Sequence, residues 1–477
     1  MNHAGGPTFR VLRRVVDVDP GESRAVVLAC LYFFFTFSSW FVLRPIRDEM
    51  AVAAGVRDLP WMFAGTLVVT LVANALYSSL VARLPVRRFV SATYQLFALC
   101  LVAFWVAWRA RSGEEAGVWT GRIFFAWTSM YSLFVASVFW SVMADAFRSG
   151  QAKRLFGFIG VGGTLGAIAG SAATALLARS LGPVNLLLVS LVLLEVAAAF
   201  ALAFYAAAPA ATRARRPDED DAAAAAAAAA ADDVAGVHGA QRSRAIGGSA
   251  WAGITHVARS PYLLGIAVFL VLYTFGSTVL YFAQTEIVGA ALTDRAARTE
   301  LLARMELATQ ILTAVTQAFL TGRIIRRVGL AVALAFLPAV SLLGFAAIGA
   351  TAWGLAPALA TIIGFSVLRR ASNYALTNPA MEALFTVVSR EDKYKAKSFI
   401  ETFVYRAGDQ LAAWGYAGLA LLGLGVAGIS WVTVPFSVAF LVLGVWLGRR
   451  QREMATLQVP LAAAERPASA VPVKASA

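Results

Sequence analysis

Two arginines and a carboxylate close the first long apolar stretch of the chain, in Leu43-Arg44-Pro45-Ile46-Arg47-Asp48. Arg44 and Arg47 are three apart, and Arg44 and Asp48 four apart. A continuous helix would carry all three on one face. Two guanidinium groups so placed can fork onto the oxygens of an anion, with Asp48 holding them in position. The competing reading is that the membrane ends here and the charges lie among headgroups. Val26 to Arg44 spans ~27 Å at the helical rise, close to the hydrocarbon thickness. A second polar set lies downstream. Arg369 and Arg370 stand well inside an apolar run, and Asn373 follows. Beyond them Glu401, Arg406, Asp409 and Gln410 fall within ten residues. Arg406 is ~13 Å of helical rise from Lys397, a depth near the bilayer midplane. Ionisable groups at that depth are costly and usually mark a substrate or ion pathway. Arg406 and Asp409, three apart, also suit a structural ion pair.

The elements that must position these residues are membrane helices. The 477 residues are 59% hydrophobic and 14% charged, with a mean hydropathy of +0.70. Soluble domains carry about 25% charged residues, so the chain reads as an all-α polytopic membrane protein with the lipid bilayer as its solvent. The net charge of +14 marks cytoplasmic loops rather than binding of a nucleic acid polymer. Cys30 and Cys100 lie in apolar spans, which argues against a structural disulfide. His3, His238 and His256 fall outside those spans, so a buried histidine relay is not expected. No secretory signal is visible. No metal-ligand cluster or nucleophile–base set stands out. The glycines of 157–170 lack the Lys-Ser or Lys-Thr of a phosphate loop. An enzyme, a cofactor and a metal are therefore not expected. The stripe Gly162, Gly166 and Gly170 instead bares one helix face for close packing.

Twelve apolar spans of helical length can be read. Six lie in the first half: Val26–Leu43 or longer, Trp61–Val81, Phe89–Trp108, Trp119–Val142, Leu155–Ala178 and Leu186–Tyr205. Six lie in the second: Tyr262–Ile287, Leu307–Thr321, Leu330–Gly349, Ala356–Val388, Phe399–Leu422 and Trp431–Leu447. This divides the chain into an N-terminal six-helix half (1–205), a low-complexity cytoplasmic linker (206–259), a C-terminal six-helix half (260–450) and a disordered tail (451–477). The linker carries Asp218-Glu219-Asp220-Asp221 and the run Ala222–Ala231, a composition that suits a tether. Arginines and lysines cluster after every second span, as in Arg323, Arg326 and Arg327, which places both termini in the cytoplasm. Arg122, one turn inside the fourth span, is expected to snorkel. Trp40, Trp61, Trp108, Trp119 and Trp431 are expected in the interfacial belts. The halves also resemble each other. Thr36-Phe37-Ser38-Ser39 in the first span matches Thr274-Phe275-Gly276-Ser277 in the seventh, and Ala152-Lys153 before the fifth recurs as Ala396-Lys397 before the eleventh. Two parallel six-helix repeats are the pattern of the major facilitator superfamily, with substrate between the halves near the midplane.

Leu43-Arg44-x-x-Arg47-Asp48 resembles the first-helix Leu-Arg-x-x-Lys-Asp motif of the nucleotide transporter family, the ATP/ADP translocases of plastids and intracellular bacteria. Ala152-Lys153-Arg154-Leu155-Phe156 is similar to that family's entry to helix 5. Tyr374-Ala375-Leu376-Thr377-Asn378-Pro379-Ala380-Met381-Glu382 is similar to its Tyr-Ser-Leu-Phe-Asp-Pro-Thr-Lys-Glu stretch. Glu401 and Arg406-x-Gly408 match an acid and an Arg-x-Gly at the same spacing. The resemblance covers nearly the whole chain at low identity. It implies a major-facilitator fold and exchange of phosphorylated, nucleotide-like anions. The sequence departs from the family at Arg47, where the family has lysine, and near Thr128 and Ser129, where it has an acid. It departs again at Tyr281–Gln284, where the family has an acid–lysine pair, and at Asp409, where it has a basic residue. Losing a cation and gaining an acid weighs against a triphosphate.

The reading is a monomeric secondary transporter of a small anionic, nucleotide-like solute, working by alternating access in a bacterial inner membrane. Arg44, Arg47, Arg370, Asn373 and Arg406 are expected to bind substrate, and Asp48, Glu401 and Asp409 to gate or couple. A transporter of an unrelated small solute and a non-transporting sensor or scaffold are the alternatives.

Overall fold

A computed structural model describes residues 22–83, 86–110, 114–147, 149–207, 257–388, 396–397 and 399–464. The described residues are helical throughout, without a strand. In chain order the helices are α1 (Ser23–Ala54), α2 (Leu59–Arg83), α3 (Val86–Arg109), α4 (Glu114–Ala146), α5 (Ser149–Ala207), α6 (Pro261–Ala291), α7 (Arg295–Thr316), α8 (Gly322–Arg327), α9 (Leu330–Ala350), α10 (Ala358–Ser372), α11 (Asn378–Leu384), α12 (Tyr405–Leu421) and α13 (Val426–Ala464). Three five-residue π turns continue these helices: Gln317–Thr321 joins α7 to α8, Asn373–Thr377 joins α10 to α11, and Ile400–Val404 leads into α12. Seven helices among the described residues are long and apolar enough to cross a membrane. One of these, Arg154–Ala207, runs 54 residues, far beyond the roughly 20 that a bilayer needs. It is broken at Gly182, whose φ of 76° leaves the helical region, with Pro183 immediately after. The chain turns there, giving two arms of membrane length where the fifth and sixth spans are expected.

Helix α1 is buried on nearly every side, from Ala25 to Val52. A helix apolar all round needs neighbours all round, and α5 supplies the longest contact. Cβ atoms built on Gly162, Gly166 and Gly170 would run into the backbone carbonyls of Cys30, Phe34 and Ser38. The glycine stripe therefore lets two backbones touch, as its spacing predicts. The hydroxyl of Ser38 donates to the carbonyl of Gly166 at 3.1 Å. Ser39 is within 2.7 Å of the Tyr131 hydroxyl and 2.8 Å of the Ser190 hydroxyl. The matching motif in α6 packs in the same manner, with Gly408 of α12 bare against the Thr274 hydroxyl. Seventh span against eleventh thus repeats first against fifth.

The apolar core falls into clusters. One takes its buried members from 25–204 and another from 257–447. A third mixes Ala51, Leu59, Met62 and Phe125 with Val279, Phe282, Ile348, Phe365 and Tyr416, around the C-terminal end of α1. Cys30 and Cys100 are free thiols.

Four sequence expectations need correction. The first apolar stretch does not close at Asp48, because α1 continues through Pro45 to Ala54. The helix expected from Leu307 begins at Arg295, capped by Asp294, whose carboxylate accepts from the Ala297 amide at 2.7 Å. The tail expected from 451 is helical as far as Ala464. Trp40 is 4% exposed and packs in the core instead of a belt, unlike Trp61 at 68%. The bulk of the linker (208–256), the three histidines, residues 389–395 and 465–477 lie outside the described residues.

Candidate functional site

Arg44 projects from the middle of α1 and meets the second half of the chain. Its Nη1 donates to Glu306 Oε1 of α7 at 3.1 Å, and its Nη2 to the Tyr374 hydroxyl at 3.3 Å. Arg370 of α10 donates to the other oxygen of the same carboxylate, Glu306 Oε2. Gln310, one turn on from Glu306, donates its Nε2 to Oε1 at 2.8 Å. The Glu306 side chain is only 2% exposed. A carboxylate so enclosed is stable only when paired and hydrogen-bonded, and here donors meet both of its oxygens. The stem of Arg44 lies beside the rings of Trp40 and Phe41, with the guanidinium 5.9 and 5.7 Å from their centroids.

Arg47 turns to a separate partner. Its Nε and Nη2 both donate to Asp48 Oδ1, at 3.0 and 2.7 Å. Tyr281 of α6 donates its hydroxyl to the same oxygen at 3.1 Å. The sequence reading expects Asp48 to hold both arginines; in the structure it bonds Arg47, while Arg44 is held by Glu306. The guanidinium of Arg47 also stands 5.2 Å over the Phe125 ring.

Arg369 and Arg370 are neighbours in sequence with different surroundings. Arg369 is buried among neutral acceptors: Ser341 Oγ at 2.9 Å, Ser277 Oγ at 2.8 Å and the Tyr273 carbonyl at 3.1 Å. A Cβ on Gly276 would lie 3.0 Å from its Nη2, so the glycine of the repeated motif makes room for the guanidinium. Asn373 donates to the Tyr273 hydroxyl at 3.0 Å.

The polar residues around α12 do not gather at Glu306. Asp409 accepts from Thr278 Oγ1 at 3.1 Å and forms no ion pair with Arg406, contrary to the structural pair that their spacing suits. Arg406 stands 5.9 Å from the Tyr405 ring centroid. Glu401 lies 3.6 Å from Lys397, which also pairs with Glu382 at 2.8 Å. Arg122 pairs with Asp58 where snorkelling alone is expected.

Glu306 is the residue that the sequence reading missed. Its stretch, Arg295–Glu306, carries Arg295, Arg298, Glu300, Arg304 and Glu306, and such a density of charge reads as a loop. The available signal was Asp294, a helix N-cap three residues before a free amide. Apart from Arg304, which pairs with Glu300 on its own helix, these charges meet partners from the first half. Glu49 of α1, fully buried, takes Arg295 at 3.0 Å and Arg298 at 3.3 Å. Arg179 of α5 pairs with Glu300. Beside them Val52 packs with Val288, Leu302 and Met305, and the rings of Trp61 and Trp414 meet edge to face at 5.0 Å. At the opposite end of α1, Glu22 accepts from Gln151 at 2.6 Å and Arg154 at 3.1 Å.

Long apolar helices, an interrupted rod at Gly182 and charges paired inside the bundle are the architecture of a polytopic membrane protein. Residues 26–408 match the family model of the Major Facilitator Superfamily, and the chain belongs to that superfamily. It is an integral membrane protein and a secondary transporter. Its fold is similar to that of solved transporters. PepTSo, a POT family transporter, superimposes with a TM-score of 0.58 at 13% identity, over 91% of this chain and 98% of that one. The nucleoside transporter NupG gives 0.57 at 12%, over 90% and 99%. The xylose transporter XylE from E. coli gives 0.54 at 12%, over 88% and 97%. A comparison with the curated proteins finds no match.

Proposed function

We propose that this protein carries a small anionic, nucleotide-like solute across a bacterial inner membrane by alternating access. Two six-helix halves, twelve spans in all, rock about the site, with both termini and the 206–259 linker in the cytoplasm. One observation carries the reading. Arg44, from the first half, and Arg370, from the second, converge on a single buried carboxylate. Two guanidiniums that can share one oxyanion of the protein can share one oxyanion of a substrate, and both would then change partners as the halves move. Arg47 lies one turn along α1 and adds a third cation. Asp48 positions Arg47, while Asp409 and Glu401 are assigned to coupling. Asn373 and Arg406 line the approach from the second half. The resemblance of Leu43–Asp48 and Tyr374–Glu382 to the ATP/ADP translocases supports a nucleotide-like solute. Glu306, like Asp409, favours fewer negative charges than a triphosphate carries. The pairing of Glu49 with Arg295 and Arg298 joins the two halves at that end, which supports a site that opens toward the linker side.

The test is ligand-induced thermal stabilisation of the purified protein. Nucleotides, phosphorylated metabolites and neutral solutes are screened side by side. Stabilisation by anions, lost in Arg370→Ala, is the expected result. Stabilisation by neutral solutes alone would sink the proposal and favour a transporter of an unrelated solute.

A further inference from the structure

We infer that Glu306 is a built-in anion that occupies the substrate arginines when the carrier is empty, so that the empty carrier can reorient and transport is not confined to exchange. This rests on the reading of Arg44 and Arg370 as the anion site. The geometry is that of a bound ligand. One oxygen of Glu306 receives Arg44 and Gln310, and the other receives Arg370. The donors come from α1, α7 and α10, so the carboxylate ties the two sides of the bundle together as a substrate oxyanion would.

The consequence follows from charge burial. A guanidinium shut away from water without a counter-charge is strongly disfavoured. A cavity lined by Arg44 and Arg370 alone could close only around a substrate anion, and such a carrier would exchange one anion for another. With Glu306 in place both guanidiniums have an anionic partner and one of their two positive charges is balanced from within, which lowers the cost of closing and lets the bundle close and reopen empty. The same contact makes Glu306 a competitor for the site. A tethered carboxylate acts at high effective concentration, so an incoming oxyanion must displace it. Gln310 lies on the same helix and can still donate to the displaced carboxylate, which spares it from being left without a partner. Glu306 would thus set both the affinity for the solute and the mode of transport.

The experiment uses the full chain and two probes, ADP and inorganic phosphate. Glu306→Gln keeps the shape and removes the charge. It should bind the probes about tenfold more tightly or better, since the arginines lose their resident partner. A gain in affinity is not a result that structural damage produces. In liposomes loaded with labelled probe, the wild type should release label into both anion-free medium and medium holding unlabelled probe. Glu306→Gln should release it only into the second, and Glu306→Asp, which keeps the charge, into both. Should Glu306→Gln fail to fold, Glu306→Ser gives the same readouts. Unchanged or weaker binding by the neutral variant, or undiminished net release, would overturn the inference while leaving the anion site standing. If neither wild type nor variant responds to either probe, the anion-site reading fails and this inference with it.

Discussion

Arg44 and Arg370 hold the two oxygens of one carboxylate from opposite sides of the bundle. Arg44 also donates to the Tyr374 hydroxyl, one turn on from Arg370, so both contacts depend on those helices staying in register. The contact is therefore a natural place for a solute to act on the conformation.

Removing either arginine should cost binding directly. Charge-assisted hydrogen bonds contribute roughly 1.5–3 kcal/mol each, so Arg44→Ala and Arg370→Ala should each weaken anion binding about tenfold or more. Lysine at either position should recover part of the loss, because the point charge returns and the planar fork does not. Thermal stabilisation by the best ligand of the screen reads both. Wild-type binding in both alanine variants would make these residues anchors rather than ligands.

The Glu49 end offers a second test. In a background of Cys30→Ser and Cys100→Ser, cysteines replacing Trp61 and Trp414 should be joined by a short bifunctional thiol reagent that spans the space the two rings now fill. Glu49→Gln removes the charge that gathers Arg295 and Arg298. It should slow that cross-link and raise labelling of either single cysteine from the same side. An unchanged cross-linking rate would show that the ion pairs do not hold this end.

Packing of α1 on α5 can be probed at a single atom. Gly166→Ala would push a methyl into the Phe34 carbonyl, whereas Gly157→Ala meets nothing within 4 Å. Overpacking typically costs about 1–3 kcal/mol, so the first variant should melt several degrees lower and the second as wild type. Equal melting temperatures would mean that the two helices separate without cost.

Orientation is checked with protease. Cleavage within 206–259 should occur only from the cytoplasmic side, and deletion of Ala222–Ala231 should leave transport within about twofold of wild type. Cutting by external protease in intact cells would reverse the topology.

The sequence made much of this visible, for identifiable reasons. The glycines at four-residue spacing point to their packing, because small residues in that register let two helix backbones approach, and here any Cβ would clash with the facing backbone. Arg44, Arg47 and Asp48 stand out against apolar neighbours, and Arg370 does likewise. Glu306 was hidden by the opposite circumstance. It ends a run of charges whose partners, Glu49 and Arg179, sit far away in the sequence and become neighbours only after folding. Trp40 misled for a related reason. A tryptophan beside an arginine looks like a membrane border, and its place under Arg44 depends on a helix continuing past a proline. Local pattern reports what a residue is, while pairing across the bundle decides what surrounds it.

The π turns carry a mechanical consequence. All three found among the described residues lie after the linker, and two of them are stitched together, Gln317 donating to the Tyr374 carbonyl at 3.1 Å and Thr321 to the Ala375 carbonyl at 2.7 Å. Each turn widens its helix by one residue and loosens the regular ladder, which makes it a point where a rod bends. Before the linker, α1 and α5 lie backbone to backbone along the glycine stripe with little room to flex. The molecule therefore pairs a stiff lever with a compliant one. Arg44 rides on the stiff arm, and Arg370 sits three residues ahead of a joint in the other, so a pull on Glu306 or on its replacement is felt first as bending of the second arm.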